Sequence, residues 1–208
     1  MLNLSDANNI KGLLIDFLIT ENIGKDYLIG SEIYFGSKKR QADILFVDDF
    51  VTAFEIKSQN DDFRRTREQL NDYRRVFDYQ ILVTTYNHLA NARKAISPNV
   101  GLIMIRADGV FNTIRKPQLI KNQEKIEILE SVPIWFLKSY FQLSSNYRFA
   151  KDVREHLLKH SRGELKNAFR VFLQKRLVKR NNAFFDEKGE ITHYEDLWLL
   201  TTDYDQTI

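Results

Sequence analysis

The sequence predicts an α/β fold, in which a mixed sheet flanked by helices is followed by a helical region. Three observations predict it: a helical period at the start of the chain, alternating strand-like and helix-like segments up to about residue 115, and helical patterns from about residue 118 onward. A chain of 208 residues is long enough to bury a sizeable core. We therefore expect a core over residues 1–117 and a mostly helical, basic region over residues 118–208.

The first part of the chain is predicted to form one helix and three strands. Residues 5–22 carry apolar side chains at spacings of three and four, and Ser5 is placed to cap this helix. Three segments rich in β-branched and aromatic residues follow, at 31–36, 42–48 and 51–57. Asp48 and Asp49 separate the last two segments, which predicts a hairpin.

Helices and strands then alternate. Residues 62–78 have one apolar side and are predicted to be helical. The continuous apolar runs at 80–85 and 100–107 are typical of buried strands, with a shorter helix between them at 87–96. Residues 110–115 are predicted to add a final strand.

The remainder of the chain is predicted to be helical. Segments 121–132 and 133–143 lead to a long basic pair of helices over residues 149–181, and the acidic end of the chain is expected to close with a hairpin or a helix. Trp135 and Trp198 lie in apolar surroundings, so we expect both to belong to the core.

Composition restricts the compartment and the class of protein. Cysteine is absent, which excludes disulfides and permits a reducing compartment. The first residues lack a basic start followed by an unbroken apolar stretch, and no segment approaches the length needed to span a bilayer. We expect a soluble cytoplasmic protein without membrane contact.

Positive charge is concentrated in one segment. Residues 148–180 contain eleven Lys or Arg against three Asp or Glu, so their net charge is +8, whereas the rest of the chain carries −5. This segregation is the electrostatic pattern expected of a nucleic-acid-binding protein, although one solvated basic helix face gives a similar count.

Three charged residues interrupt the apolar hairpin. Glu55 and Lys57 are two apart and project on the same side of one strand, and Asp43 lies on the neighbouring strand. Such charges become tolerable in apolar strands when two carboxylates share a divalent cation and the ammonium balances a phosphate or a water. The alternative is a surface hairpin with an exposed Glu55–Lys57 ion pair and a turn capped by Asp43.

The carboxylates predict a magnesium site. Asp43 and Glu55 would bind Mg²⁺, for which Mn²⁺ can substitute, with help from the carbonyl oxygen of Ile56. Lys57 would orient the attacking water or stabilise the charge of the transition state in phosphodiester hydrolysis.

An Asp followed eleven residues later by Glu-X-Lys, here Asp43 and Glu55-Ile56-Lys57, resembles the PD-(D/E)XK nuclease superfamily. The order of helix, three strands, helix and strand over about residues 5–106 is also similar to its restriction-endonuclease-like core. The resemblance implies DNA cleavage with Mg²⁺, in which the Asp and Glu bind metal and the Lys assists the water. Ala42 stands where many members have the Pro.

A second motif strengthens the resemblance. Gln69 and Tyr73 share one face of the helix after the catalytic strand. They resemble the Gln-X-X-X-Tyr element of RecB-type exonucleases, which implies that they approach DNA or brace the catalytic site. The alternative is that Tyr73 is a core residue and Gln69 a surface residue. The whole is similar to small bacterial or phage members of the superfamily.

Further residues are candidates for metal or DNA contact. Asp6, Asp16, Glu21 and Glu32 are candidates for a further acidic ligand, and the alternative for each is an ordinary solvated side chain. Phosphate contacts are predicted for two basic clusters: Lys38, Lys39 and Arg40; and Lys175, Arg176, Lys179 and Arg180. Cleavage of both strands would favour a homodimer. The rival functional interpretation is a non-catalytic DNA-binding module on the same fold.

Overall fold

The computed structural model describes residues 2–144 and 146–201. The strands are β1 (Leu28–Phe35), β2 (Arg40–Val47), β3 (Val51–Lys57), β4 (Tyr79–Thr85), β5 (Gly101–Ile105) and β6 (Phe111–Arg115). The helices are α1 (Ala7–Glu21), α2 (Thr66–Arg74), α3 (Leu89–Ala95), α4 (Lys125–Glu130), α5 (Ile134–Tyr140), α6 (Ala150–Leu157), α7 (Arg162–Glu187) and α8 (Leu197–Leu200). A 3₁₀ turn at Tyr86–His88 precedes α3.

The six strands form one mixed sheet in the order β1-β2-β3-β4-β5-β6. The first three strands pair antiparallel, β3, β4 and β5 run parallel, and β6 returns antiparallel. This confirms the predicted α/β class with a mixed sheet and a C-terminal helical region. Because β3, β4 and β5 are parallel, their carboxyl ends meet at one edge of the sheet.

Each face of the sheet is covered by a separate apolar cluster. On the α1 face, Phe54 and Val83 pack with Ile10 and Leu14 of α1. On the α2 face, Ala53 and Leu82 pack with Leu70 of α2 and with apolar residues of α4 to α7. The predicted boundary between residues 117 and 118 stays a prediction, and the C-terminal helices contribute directly to the α2-face cluster.

Strand β1 changes face at Glu32. Ile29 belongs to the α1-face cluster, whereas Ile33 and Phe35 belong to the α2-face cluster. Glu32 has a φ of 53°, a left-handed backbone conformation that is uncommon for a residue with a side chain. This kink lies beside Asp43 on β2.

Each of the helices α1 to α5 is shorter than the sequence pattern predicts. Asp6 rather than Ser5 caps α1, because its side chain accepts a hydrogen bond from the Asn8 N–H. α2 begins at Thr66 rather than at 62, after a turn in which the Asp62 carboxylate accepts the Arg64 N–H at 2.9 Å. α4 occupies only six residues of the predicted 121–132 helix.

The expectation that both tryptophans are buried is wrong. Trp135 is 55% exposed and Trp198 is 64% exposed. Each lies on a short helix whose neighbours fill the core instead, Phe136 and Leu137 on α5 and Leu197 and Leu200 on α8. No helix in the described part of the chain is long and apolar enough to cross a membrane.

Asn181 of α7 holds the outer edge of the sheet. Its side-chain oxygen accepts the N–H of Ile29 at 2.8 Å, and its amide nitrogen donates to the Ile29 carbonyl at 2.8 Å. The same nitrogen lies 3.0 Å from the Leu177 carbonyl. The amide therefore satisfies backbone groups of edge strand β1 that would otherwise be open to pairing with another chain.

We expect Asn181→Ala to destabilise the protein by about 2–5 kcal/mol, because it leaves the buried N–H and C=O of Ile29 without partners. Urea denaturation of purified protein measures the change in the free energy of unfolding. Asn182→Ala is the matched control, since Asn182 is exposed on the same helix. Equal stability of the two variants would contradict this role.

Candidate active site

Asp43 and Glu55 come together where the β2–β3 ladder ends. The last paired residues at this end are Ile44 and Phe54, so Asp43 and Glu55 follow directly on opposite strands. The Asp43 carboxylate accepts the backbone N–H of Ile56 at 2.7 Å. The Asp43 side chain therefore supplies the hydrogen-bond acceptor for β3 at the point where backbone pairing between β2 and β3 ends.

Glu55 and Lys57 project from the α2 face of β3 and interact there. One Glu55 carboxylate oxygen lies 2.9 Å from the Lys57 ammonium, and the other accepts the Tyr73 hydroxyl at 2.8 Å. The Lys57 ammonium also donates to the side-chain oxygen of Gln69 at 3.0 Å. Both Gln69 and Tyr73 are thus brought to the predicted site, and Tyr73, which is 1% exposed, is also a core residue.

Lys11 was not predicted from the sequence and is part of this site. Its ammonium contacts the carboxylate of Glu32 and lies 3.7 Å from that of Asp43. Lys11 is 5% exposed, although it lies on α1 among residues whose pattern predicts only an amphipathic helix. The sole sequence signal is a lysine between Ile10 and the apolar residues Leu13 and Leu14, on the buried side of the helix.

Burial raises the pKa of both carboxyl groups, and the charge of Asp43 adds to the rise at Glu55. The pKa of Glu55 is raised to about 7, first by burial and then by the nearby Asp43 charge, with Lys57 and Tyr73 opposing the rise. Burial also raises the pKa of Asp43, while Lys11, the Ile56 N–H and Lys57 lower it. The pKa of Tyr73 lies well above its usual value because of burial and the Glu55 charge. Asp43 therefore lies next to Lys11, Glu55 lies next to Lys57, and the two carboxyl groups lie near each other.

The alternative of an exposed surface ion pair is wrong. Glu55 is 2% exposed and Lys57 is 8% exposed, so their contact is buried. The site still opens to solvent, because the Asp43 side chain is 25% exposed. A pocket of about 560 Å³ is lined by Lys57 and Gln69 together with Asp61, Asp62, Arg64 and Arg65.

The residues present fit a magnesium ion. Asp43 and Glu55 supply hard carboxylate oxygens, and the N–H and C=O of a strand residue point the same way, so the Ile56 carbonyl also faces the side of Asp43. Within the described residues, no group of three or more His, Asp or Glu is close enough to hold a metal. Mg²⁺ is commonly held by one or two carboxylates with waters and substrate phosphates, which matches this sparse donor set.

The four candidate extra acids have different positions. Glu32 reaches the site through Lys11. Asp6 caps α1, and Asp16 accepts the N–H and hydroxyl of Thr192, so the structure brings neither of them to Asp43. Glu21 is exposed at the far end of α1.

The predicted cluster Lys38, Lys39 and Arg40 lies at the β1–β2 turn and is paired with acids. Asp72 of α2 lies 3.0 Å from both the Lys38 ammonium and the Arg40 guanidinium, which also contacts Glu68. Lys39 donates to the Glu130 carbonyl at 3.2 Å. These contacts fix the turn to α2 and α4, and DNA contact by this cluster stays a prediction.

The second predicted cluster lies on the outer side of α7. Lys175 and Lys179 are exposed, and Arg176 and Arg180 are partly exposed. The Lys175 ammonium lies 5.6 Å from the centre of the Phe136 ring and the Arg176 guanidinium 5.8 Å from that of Phe172. Earlier basic residues of the helix serve the fold, since Lys166 pairs with buried Asp78 and Arg162 donates to the Gln123 carbonyl.

Fold and site together define an α/β protein with two neighbouring carboxylates, buried Glu55 and partly exposed Asp43, each next to a lysine at one end of the sheet. Comparison with known protein families then assigns the chain to one of them. Residues 2–201 match the family described as Bacteriophage P4 protein cII, and the chain belongs to that family.

Individual relatives are distant. Protein cII of Enterobacteria phage P4 is 25% identical over 132 residues, which cover 62% of this chain and 50% of that protein. The chain thus spans about half the length of the curated relative it matches. Among solved structures, a protein of unknown function from Silicibacter pomeroyi is 15% identical with a TM-score of 0.39, covering 54% of this chain and 74% of that one.

The raised pKa of Glu55 makes the stability of the metal-free protein depend on pH. The folded state keeps the proton to about pH 7, whereas the unfolded chain releases it near 4.5. The wild type should therefore lose stability relative to Glu55→Gln as the pH rises from 4.5 to 7, by on the order of 3 kcal/mol, and change little above that range. Denaturation in EDTA at several pH values measures this difference.

Glu190→Gln is the control for this comparison, because Glu190 is exposed. Comparing each variant with the wild type across pH cancels any pH-independent cost of the substitution. A Glu55→Gln difference that stays flat between pH 4.5 and 7 would contradict the buried, repelled carboxyl.

Proposed function

We propose that the chain is a magnesium-dependent nuclease of the PD-(D/E)XK type, with a restriction-endonuclease-like fold, that hydrolyses phosphodiester bonds in DNA. One observation carries the proposal: Asp43 and Glu55 lie side by side on neighbouring strands while the Lys57 ammonium is held 2.9 Å from Glu55. A purely structural role does not explain why Glu55 is buried beside Asp43, whose charge raises the pKa of Glu55.

Asp43, Glu55 and the Ile56 carbonyl would hold Mg²⁺, or Mn²⁺ in its place. When bound, the ion supplies neutralisation of phosphate charge and acidification of a water. The chain's own contribution is to keep these ligands oriented. The Ile56 N–H fixes Asp43, and the Tyr73 hydroxyl fixes Glu55.

Lys57 would act on the reacting phosphate or water. Its ammonium is held by Glu55 and Gln69 and faces the open pocket, where a compact positive charge can stabilise the charge that develops in the transition state. Gln69 is then a positioning residue, since it acts on the ammonium. Lys11 offsets the charge of Asp43 and Glu32 on the other side of the site.

The basic side of α7 would hold the DNA backbone, through Lys175, Arg176, Lys179 and Arg180. Lys38, Lys39 and Arg40 are further candidates for phosphate contact. Cysteine-free composition favours action in the cytoplasm, and cleavage of both strands would favour a homodimer.

A non-catalytic DNA-binding module is the second candidate. The segregation of positive charge into residues 148–180 supports it independently of the carboxylates. The two candidates differ in one outcome, since the module binds DNA without cutting it. The family name states neither activity.

We expect the purified protein to cut supercoiled or linear DNA with Mg²⁺ or Mn²⁺ and not with EDTA. Lys57→Ala should reduce cleavage by at least about a hundredfold while DNA affinity changes little, because the ammonium acts chiefly on the charge of the transition state and the phosphate-binding cluster of α7 is untouched. Glu55→Ala should also remove cleavage. Gel assays measure cutting, and fluorescence anisotropy in EDTA measures binding.

Lys116→Ala is the matched control, since Lys116 is exposed and outside the site. Cleavage by Lys57→Ala at the wild-type rate would exclude this mechanism. Retained binding with no cutting on either DNA form would favour the non-catalytic module.

Neutralising the α7 cluster should weaken DNA binding and flatten its salt dependence. In the quadruple variant, Gln replaces Lys175, Arg176, Lys179 and Arg180. We expect the slope of log affinity against log salt concentration to fall by roughly one unit for each phosphate contact removed. Anisotropy titrations over a range of salt concentrations measure the slope. The control neutralises four exposed cations elsewhere, Arg93, Lys94, Lys116 and Lys121, so that the net charge changes equally. Equal loss in both variants would place the DNA surface elsewhere.

A further inference from the structure

A second pocket lies at the edge of the sheet where β3, β4 and β5 end. Its volume is about 250 Å³, and Leu4 and Ile105 form its apolar floor. Thr85, the last residue of β4, and Tyr86, which follows it, line one side, and the carboxamide residues Gln59 and Asn87 add polar groups. The pocket is on the α1 side of the sheet, to which Leu4 and Ile105 belong.

Two residues of this pocket lack the partners that a structural role would give them. The Thr85 hydroxyl oxygen is buried and has no hydrogen-bond partner among the described residues, in a residue that is 1% exposed. Tyr86 is 68% exposed, so its ring does not serve the core. A buried hydroxyl without a partner carries a desolvation cost, which a ligand can relieve.

The pocket lies at the same edge of the sheet as the candidate active site, on the opposite face from the Glu55 and Lys57 side chains. Lys57 pairs with Thr84 in the parallel β3–β4 ladder, and the Thr84 hydroxyl donates to the Lys57 carbonyl at 3.3 Å. Tyr86 lies two residues beyond Thr84, so its Cα is about 8 Å from that of Lys57 at ordinary strand spacing. His88 joins the segment after β4 to the segment after β3, because its Nε2 donates to the Gln59 carbonyl at 2.8 Å.

The residues that line the pocket favour a flat, uncharged ligand with hydrogen-bonding groups along its edge. A phosphate would require a cation, but the charged lining residue Arg106 is paired with Asp108 at 2.8 Å. The Tyr86 ring offers a stacking surface, and the Thr85 hydroxyl with the two carboxamides offers both donors and acceptors. An unpaired nucleobase has this combination of an aromatic face and a hydrogen-bonding edge.

We propose that this pocket is a subsite for one unpaired nucleobase of a DNA strand that crosses this edge of the sheet, so that its phosphate backbone also reaches Lys57 on the other face. The inference rests on the proposed nuclease function and adds a substrate class to it. Tyr86 stacks on the base, and the Thr85 hydroxyl binds its edge. A base in a closed duplex cannot enter the pocket, so the protein prefers single-stranded or frayed DNA.

Binding in EDTA tests the subsite without cleavage. The probes are a short fluorescein-labelled single strand and the same sequence in a closed hairpin duplex, titrated with the full chain. Tyr86→Ala should weaken single-strand affinity by about tenfold and leave hairpin affinity unchanged, whereas Tyr86→Phe keeps the stacking ring and the affinity. Tyr194→Ala is the matched control, because Tyr194 is also an exposed tyrosine, at 49%.

Thr85→Val tests the hydroxyl separately. It should lower single-strand affinity while thermal stability stays equal or rises, since the substitution removes a buried group without a partner. Unchanged single-strand affinity in Tyr86→Ala, or an equal loss on the hairpin, would overturn the subsite.

The readouts separate the two proposals. If Tyr86→Ala selectively loses single-strand binding and the wild type does not cut DNA, the subsite is supported and the nuclease function is excluded. If cleavage depends on Lys57 and Tyr86→Ala binds single strands normally, the nuclease function is supported and the subsite is excluded.

Discussion

The hydrogen bond from the Ile56 N–H to the Asp43 carboxylate determines how the site is built. It lies just beyond the last paired residues of β2 and β3, and it replaces a backbone acceptor with a charged one. Asp43 is thereby fixed beside Glu55 instead of turning toward solvent. The kink at Glu32 lies beside Asp43, and the Lys11 ammonium lies between the carboxylates of Glu32 and Asp43.

Two lysines from different elements compensate for the burial of these acids. Lys57 comes from β3 itself, whereas Lys11 comes from α1, so each carboxylate has a cation on a different side of the sheet. Lys57 offsets the cost of burying the Glu55 charge only in part, since the pKa of Glu55 is still raised to about 7. A protein selected for stability alone would gain from an apolar residue at this position, and the retained charge therefore points to a functional requirement.

The sequence predicts the part of the site that depends on local pattern. Asp48 and Asp49 mark the hairpin turn, and alternation along the two strands then places Asp43, Glu55 and Lys57 together. Helical spacing predicts that Gln69 and Tyr73 share a face. Lys11 is not predictable in this way, because its role depends on how α1 crosses the sheet. Trp135 and Trp198 were wrongly placed for the same reason, since apolar neighbours in sequence do not specify which side of a short helix is covered.

The C-terminal segment contacts the helix that carries Lys11 of the candidate site, from a distance in sequence. Thr192 donates its N–H and hydroxyl to Asp16 of α1, at 2.9 and 2.6 Å. Gly12 permits this contact, because a Cβ at position 12 would lie 2.7 Å from the Thr192 carbonyl oxygen. Lys11 is the neighbour of Gly12, so the contact that seats α1 also sets the depth at which the Lys11 ammonium meets Asp43. The segment after α7 therefore adds a contact with the helix that carries Lys11 to those that α7 itself makes with the sheet.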